Sequence, residues 1–468
     1  MRRFALATAG LLALSVATSA VAGETNATLA DQTGVAVTIY NQDLALVRDA
    51  RTISLVKGEN DVAFIDVSAQ IRPQTALLKS SAGPLDVLEQ NFDFDLLTPE
   101  KLLEKSVGSM VRVIRLDPDS GDEVVQEARV LSVANGVVLQ IGDRIETNVP
   151  GRIVFSEVPP KLRSRPTLVT KLDSAMEGRV PVELAYLTGG LGWSADYIAE
   201  LSPDESTIEL KGWVTLTNTS GTAYRNAKLQ LVAGNVNQVR QAMDMQMKVA
   251  TMAAAAPAQP MTEQAMFEYH LYTLDRPTSI EENQTKQVEL LTGHGVPVQK
   301  EYRFDNVVNS FNARYGEGER VNADVRLTFE NTEAAKLGLP LPKGIVRVYK
   351  ADANGNAIFV GEDAIDHTPK NESVKLVLGQ AFDVTARGKQ TDFSVIADNV
   401  YESGYAIEFK NAKTEPVTVT LSQYFPGDWQ VTAESAPHVK ADASTANWSV
   451  TIPAEGSTTL TYKVRVKY

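Results

Sequence analysis

Leu460-Thr461-Tyr462-Lys463-Val464-Arg465-Val466-Lys467-Tyr468 alternates apolar and polar residues without a break. A period of two sends successive side chains to opposite faces of an extended strand, so this stretch predicts one apolar face and one solvated cationic face. Lysines on the outer face also discourage edge pairing. Val35, Val37 and Ile39 alternate in the same way with Ala36, Thr38 and Tyr40. Two Asn-Gly dipeptides separate further runs of this kind. Asn135-Gly136 lies between Val130–Ala134 and Val137–Ile141, and Asn354-Gly355 between Val346–Lys350 and Ala357–Val360. Both residue types tolerate the positive φ of a tight turn, which predicts two antiparallel hairpins. Helix signals are scarce: Thr98-Pro99-Glu100 ahead of Leu102 and Leu103 supplies a cap, a first-turn proline and an acid, and predicts one short helix.

A local pattern recurs three times. Trp213–Thr217 runs into Asn218, Val325–Glu330 into Asn331 and Tyr405–Lys410 into Asn411, each followed by a polar turn and another apolar run. Strand, Asn-headed turn and strand suit immunoglobulin-like hairpins. The expected fold is therefore mainly β: several antiparallel β-sandwich (immunoglobulin-like) units, a small inserted barrel-like unit and few short helices. The divisions read from the chain are a leader at 1–22, an N-terminal β domain at 23–107, the barrel-like insertion at 108–160, a central sandwich at 161–389 carrying a Met/Ala-rich loop at 237–266, and a C-terminal sandwich at 390–468.

The compartment is read from the first residues. Arg2 and Arg3, the apolar run Phe4–Ala17 and the small residues Ser19-Ala20-Val21-Ala22 match a cleavable export signal with its cut after Ala22. The expectation is a periodic, strand-built periplasmic or secreted protein without a membrane-spanning helix once the leader is removed, since no later apolar stretch approaches the ~20 residues a spanning helix needs. An outer-membrane barrel is the structural alternative, suggested by the aromatic Tyr468 closing an alternating strand, although the aromatic content of 7% is low for its girdles. The formal charge of −13 repels phosphate backbones, which argues against nucleic-acid binding. Cysteine is absent from the sequence, which excludes thiol catalysis, disulfides and zinc–thiolate sites.

Other chemistry is sparse. The four histidines, His270, His294, His367 and His438, have no i, i+4 pair of the zinc-protease kind. Gly192-Trp193-Ser194-Ala195-Asp196 has Asp where a nucleophile elbow needs its second glycine. Asp117, Asp119 and Asp122 read as a solvated hairpin rather than a calcium loop. Gly361-Glu362-Asp363-Ala364-Ile365-Asp366-His367 is the densest titratable cluster, in which neighbouring carboxylates would raise the imidazole pKa. Trp429 and Trp448 keep step with core positions. Trp193, after a glycine-rich turn and flanked by Tyr186 and Tyr197, is the candidate ligand-binding aromatic group. Met243, Met245, Met247 and Met252 form the candidate soft-metal site, for Cu(I), set against a surface insertion that covers apolar neighbours.

Val182-Glu183-Leu184-Ala185-Tyr186, leading through Gly189-Gly190-Leu191-Gly192 to Trp193-Ser194-Ala195-Asp196-Tyr197, resembles bacterial exported proteins grouped as a domain of unknown function, with mucoidy-inhibitor-A-like relatives. Phe267-Glu268-Tyr269-His270-Leu271-Tyr272, Thr285-Lys286-Gln287 and Gly427-Asp428-Trp429 are similar to segments of the same family. The resemblance spans about Pro181 to Tyr468 and implies a β-rich envelope protein with no catalytic residues to carry over. The relatives' helical hairpin in the N-terminal half has no counterpart here. The expected function is a non-enzymatic interaction or scaffold module, cofactor-free, whose partner is an envelope protein or polysaccharide, with polysaccharide or copper binding as the alternative.

Overall fold

The computed structural model describes residues 24–41, 43–93, 95–118, 120–147, 149–159, 162–234, 236–237, 261–266 and 269–468. The leader at 1–22 and Met243, Met245, Met247 and Met252 lie outside the described residues. The fold is mainly β, arranged as several sheets, with one α-helix among the described residues. No helix is long and apolar enough to cross a membrane. The chain divides into two compact units, one made of Met1–Ala36, Leu46–Gly189 and Ser220–Asn226, the other of Val37–Ala45, Gly190–Thr219 and Ala227–Tyr468.

In the first unit, Gly58–Ile65 pairs in parallel with Thr25–Ala27 and antiparallel with Thr167–Ser174, which pairs in turn with Leu85–Asp93. The helix Pro99–Lys105 forms where the cap signal placed it: the Thr98 hydroxyl accepts the Lys101 N–H at 3.2 Å. Beyond it, five antiparallel strands run in the order Arg144–Thr147, Val138–Ile141, Glu123–Ser132, Met110–Leu116, Arg152–Val154. They enclose a small core of Val111, Val113, Ala128, Val130, Leu139 and Ile141. This is the segment expected to be barrel-like, and it is open instead. Its terminal strands have only four and three residues and do not pair with each other. None of the sheets closes into a barrel among the described residues.

The second unit holds the largest sheet. Seven of its strands follow the order Ala357–Ile365, Gly344–Ala351, Leu191–Leu201, Thr207–Asn218, Gln284–Asp305, Val321–Glu330, Ser373–Ala397. They curl until the two outer strands meet, because right-handed twist accumulates across a wide sheet. Contact is made without a backbone ladder: the Asp363 carboxylate accepts the Val377 N–H at 2.7 Å. Gly361 is required there, since a Cβ on it would lie 2.2 Å from the Leu378 carbonyl oxygen. Asn354-Gly355 makes the expected hairpin of Gly344–Ala351 with Ala357–Ile365.

At the C-terminus, Val400–Asn411 pairs with Gly456–Lys467, and Val417–Tyr424 with Thr445–Ile452. Tyr405, Ile407, Phe409, Leu460, Tyr462 and Val464 from the first pair share a core with Val419, Leu421, Trp448 and Val450 from the second. Trp448 is wholly buried and stacks on Tyr462 at 4.8 Å. The alternation quoted at the outset is thus the inner and outer face of one strand. The segment expected as the end of a loop, Met261–Met266, is a strand paired antiparallel with Tyr269–Leu274.

Candidate functional site

The curled sheet has a mouth, and a hairpin turn projects into it. Leu191–Leu201 and Thr207–Asn218 are joined by Ser202-Pro203-Asp204-Glu205-Ser206. The Ser202 N–H donates to the Thr207 carbonyl at 2.9 Å, and the Ser202 and Ser206 hydroxyls donate to the Asp204 carboxylate at 2.6 and 2.7 Å. These bonds hold the Asp204 carboxyl below the usual range, the Ser202 bond contributing most. They also hold Glu205 in the left-handed region at φ 61°, a conformation unfavourable for a residue with a Cβ.

The strands on either side of this hairpin each bring a lysine to Glu205. Gly344–Ala351 runs parallel to Leu191–Leu201, with Lys350 opposite Leu201, and Gln284–Asp305 runs antiparallel to Thr207–Asn218. Lys300 and Lys350 both donate to the Glu205 carboxylate at 2.6 Å, one to each oxygen. The three side chains are 22%, 31% and 28% exposed, so the cluster is partly desolvated and its charge–charge attraction exceeds that of a surface pair. Burial works to raise the Glu205 carboxyl, but the two lysine bonds outweigh it and the net shift is downward. Burial also opposes the Lys300 ammonium, yet Glu205 and Tyr302 hold its pKa above the usual value. The Lys300 ammonium sits 5.0 Å over the Tyr302 ring.

Around this cluster lies a cavity of about 290 Å³, lined by Leu201, Val325, Leu327, Val360 and Leu378 together with Gly379 and Gln380. Irregularities in strand pairing shape it. The pairing of Val321–Glu330 with Ser373–Ala397 shifts on both sides of Asp324-Val325, opposite Gln380 and Gly379, and the pairing of Gly344–Ala351 with Ala357–Ile365 shifts beside Val360. Bulges re-aim side chains at the rims of curved sheets, as they do here. A larger depression of about 630 Å³ lies between the helix and the Leu131–Val137 turn, but among the described residues its charged lining is only Glu100 and Glu104. The smaller cleft has convergent charges over an apolar floor, the combination that fixes and orients a ligand.

The aromatic candidates are placed elsewhere. Trp193 is 7% exposed, Tyr186 1% and Tyr197 0%. Tyr186 belongs to the first unit, where its hydroxyl accepts the Ser68 N–H at 3.3 Å. The Tyr197 hydroxyl donates to the Pro342 carbonyl at 2.7 Å. Its ring lies close to Gly344, on which a Cβ would sit 2.2 Å from the Ala195 carbonyl oxygen and 3.0 Å from the ring. The Trp193 indole N–H is buried without a hydrogen-bond partner among the described residues. All three rings are core packing in this conformation. Trp193, Ala195 and Tyr197 keep period two within one strand, the signal in the sequence that marks them as inward-facing.

The Gly361–His367 cluster does not converge. Asp363 is spent on the backbone N–H groups of Ala364 and Val377. His367 accepts the Lys343 N–H through Nδ1 at 3.2 Å, so its neutral ring carries the proton on Nε2. Burial, then the charge of Lys343, pushes its pKa down against the pull of Asp366, opposite to the upward shift expected from its carboxylate neighbours. His270 and His367 line a small cavity of about 160 Å³. Asp352 accepts the N–H groups of Asn354 and Asn356, both at 2.8 Å, which is hairpin chemistry. Among the described residues, no group of three or more His, Cys, Asp or Glu side chains is placed to hold a metal ion.

No curated protein shows significant similarity to the chain. The model of a family described as a domain of unknown function, DUF4139, matches residues 182–468, a span that contains every residue lining the lysine cleft. With more than half its length matched, the chain belongs to the DUF4139 family.

Proposed function

We propose that the chain is an exported bacterial envelope protein that acts by binding and not by catalysis, an interaction module with immunoglobulin-like units whose cleft around Glu205 recognises an anionic group on an envelope partner. The supporting observation is the bracketing of Glu205 by Lys300 and Lys350 at 2.6 Å each. The carboxylate is held ionised and Lys300 is held protonated. Groups displaced in these directions exchange protons poorly near neutral pH, where general acid–base catalysis needs a pKa close to the working pH. Fixed charges over an apolar floor serve recognition instead. The leader reading of Arg2 through Ala22 supports export, and the core shared by two antiparallel strand pairs at the C-terminus supports the immunoglobulin-like reading.

The test is photo-cross-linking in cells from a photoreactive residue at Val360, on the cleft lining. One adduct should form in the parent, disappear in Lys300→Met/Lys350→Met and persist in Lys467→Met. An adduct indifferent to the cleft lysines would overturn the proposal.

A further inference from the structure

We infer that the ligand of this cleft is an aliphatic carboxylate, its single anionic head seated between Lys300 and Lys350 and its apolar body lying over Leu201, Val325, Leu327 and Leu378. The inference rests on the preceding reading of the cleft as an anion-recognition site and adds the ligand class. Charge sets the head. Two ammonium groups face one internal carboxylate, so the described lining carries one uncompensated positive charge. Each ammonium has three donors and gives one to Glu205, which leaves donors on both for an incoming oxygen pair. A monoanion neutralises the site, whereas a dianion would leave it with excess negative charge in a partly desolvated place, where unpaired charge is expensive.

Size and lining set the body. The cavity of about 290 Å³ accommodates about ten non-hydrogen atoms, at about 30 Å³ for each water-sized group. Among the described residues its apolar wall is five aliphatic side chains, and Gln380 is the only neutral polar one. Among the described residues no aromatic ring lines it, so these offer no stacking platform for a sugar face. An alkyl chain suits such a wall, each buried CH₂ adding favourable transfer energy without a hydrogen bond to satisfy. Glu205 is the positioning residue: its turn holds the carboxylate between the lysines, 2.6 Å from each ammonium group.

Two sources offer this chemistry, a free fatty acid and the aliphatic C-terminal residue of an extended peptide. Calorimetric titration of the full mature chain distinguishes them. Decanoate should bind at one site, with decanol and decylamine at least tenfold weaker. Lys350→Met should lose at least tenfold in affinity and Lys350→Arg should retain most of it, which separates lost charge from lost fold. An acetylated peptide ending in leucine free acid that matches decanoate, with its amide inactive, assigns a chain terminus, and decanoate binding alone assigns the free acid. Decanol binding as tightly as decanoate overturns the inference. Decyl phosphate binding where decanoate does not also overturns it, while leaving anion recognition intact. Failure of every anion, together with a cross-link from Val360 indifferent to the lysines, overturns both.

Discussion

The Asp49 carboxylate and the Arg51 guanidinium meet at 2.7 Å, with Arg51 wholly out of solvent and Asp49 5% exposed. Arg51 also donates to the carbonyls of Ala27 at 2.6 Å and Ile65 at 2.8 Å, lacing together the parallel strands Thr25–Ala27 and Gly58–Ile65. Asp49 accepts a further bond from the Gln32 amide at 2.8 Å. Removing one member of a buried pair strands the other charge, which costs about 3–5 kcal/mol, while replacing both with apolar groups is far milder. Urea denaturation followed by circular dichroism should therefore show Asp49→Ala strongly destabilised and Asp49→Leu/Arg51→Met closer to the parent. Equal losses in both would refute this account of the pair.

Asn331 donates to the carbonyls of Leu339 at 2.8 Å and Pro369 at 3.0 Å, and accepts the Gly338 N–H at 3.1 Å. Asn411 repeats the arrangement with Glu415, Pro453 and Lys413, and Asn218 donates to Ile280 and Glu281. All three are buried. At about 1 kcal/mol for each bond, Asn331→Ala is expected to lose about 3 kcal/mol, read as a lower denaturation midpoint with an unchanged slope.

His367 gives a pH dependence of known sign. Its folded pKa lies below the unfolded value of about 6.5, so between the two the unfolded chain binds more protons. Stability from this residue is present above about pH 6.5 and is lost as pH falls towards the folded value. The denaturation midpoint should drop between pH 7.5 and pH 5.5, and His367→Gln should flatten that drop. A parallel drop in the variant would remove His367 as its source.

Gly361→Ala should loosen the seam of the curled sheet, because its Cβ would stand 2.2 Å from the Leu378 carbonyl oxygen at a φ of 150°. A loss of about 1–3 kcal/mol is expected from such overpacking. Hydrogen exchange at Val377, whose N–H is held by Asp363, should accelerate in the variant; unchanged exchange there would contradict the close approach.

What the sequence revealed and what it hid follow from distance along the chain. Strands, the two Asn-Gly hairpins and the Thr98-capped helix depend on neighbours and are visible as local patterns. The three Asn-headed segments are turns but not the hairpins expected of them, because the strand that follows Asn218, Asn331 or Asn411 pairs with other strands and the Asn side chains bond carbonyls up to 63 residues away. The cleft is not local. Lys300 stands 95 residues from Glu205 and Lys350 stands 145, and only the order of strands places them on either side of its turn. Sequence can mark Pro203-Asp204-Glu205-Ser206 as a turn but carries no signal of which strands flank it. The aromatic candidates were conspicuous for the opposite reason: large side chains beside glycines attract functional interest, while the glycine at 344 chiefly admits the Ala195 carbonyl of the neighbouring strand, with the Tyr197 ring next to it.

The most direct test of the lysine cleft as the recognition site is a methyl spectrum of leucine- and valine-labelled protein titrated with decanoate. The account predicts shifts at Leu201, Val325, Leu327, Val360 and Leu378 that vanish in Lys300→Met/Lys350→Met. Shifts confined to Leu103, Val107, Leu131 and Val137, which line the larger apolar depression, would contradict it.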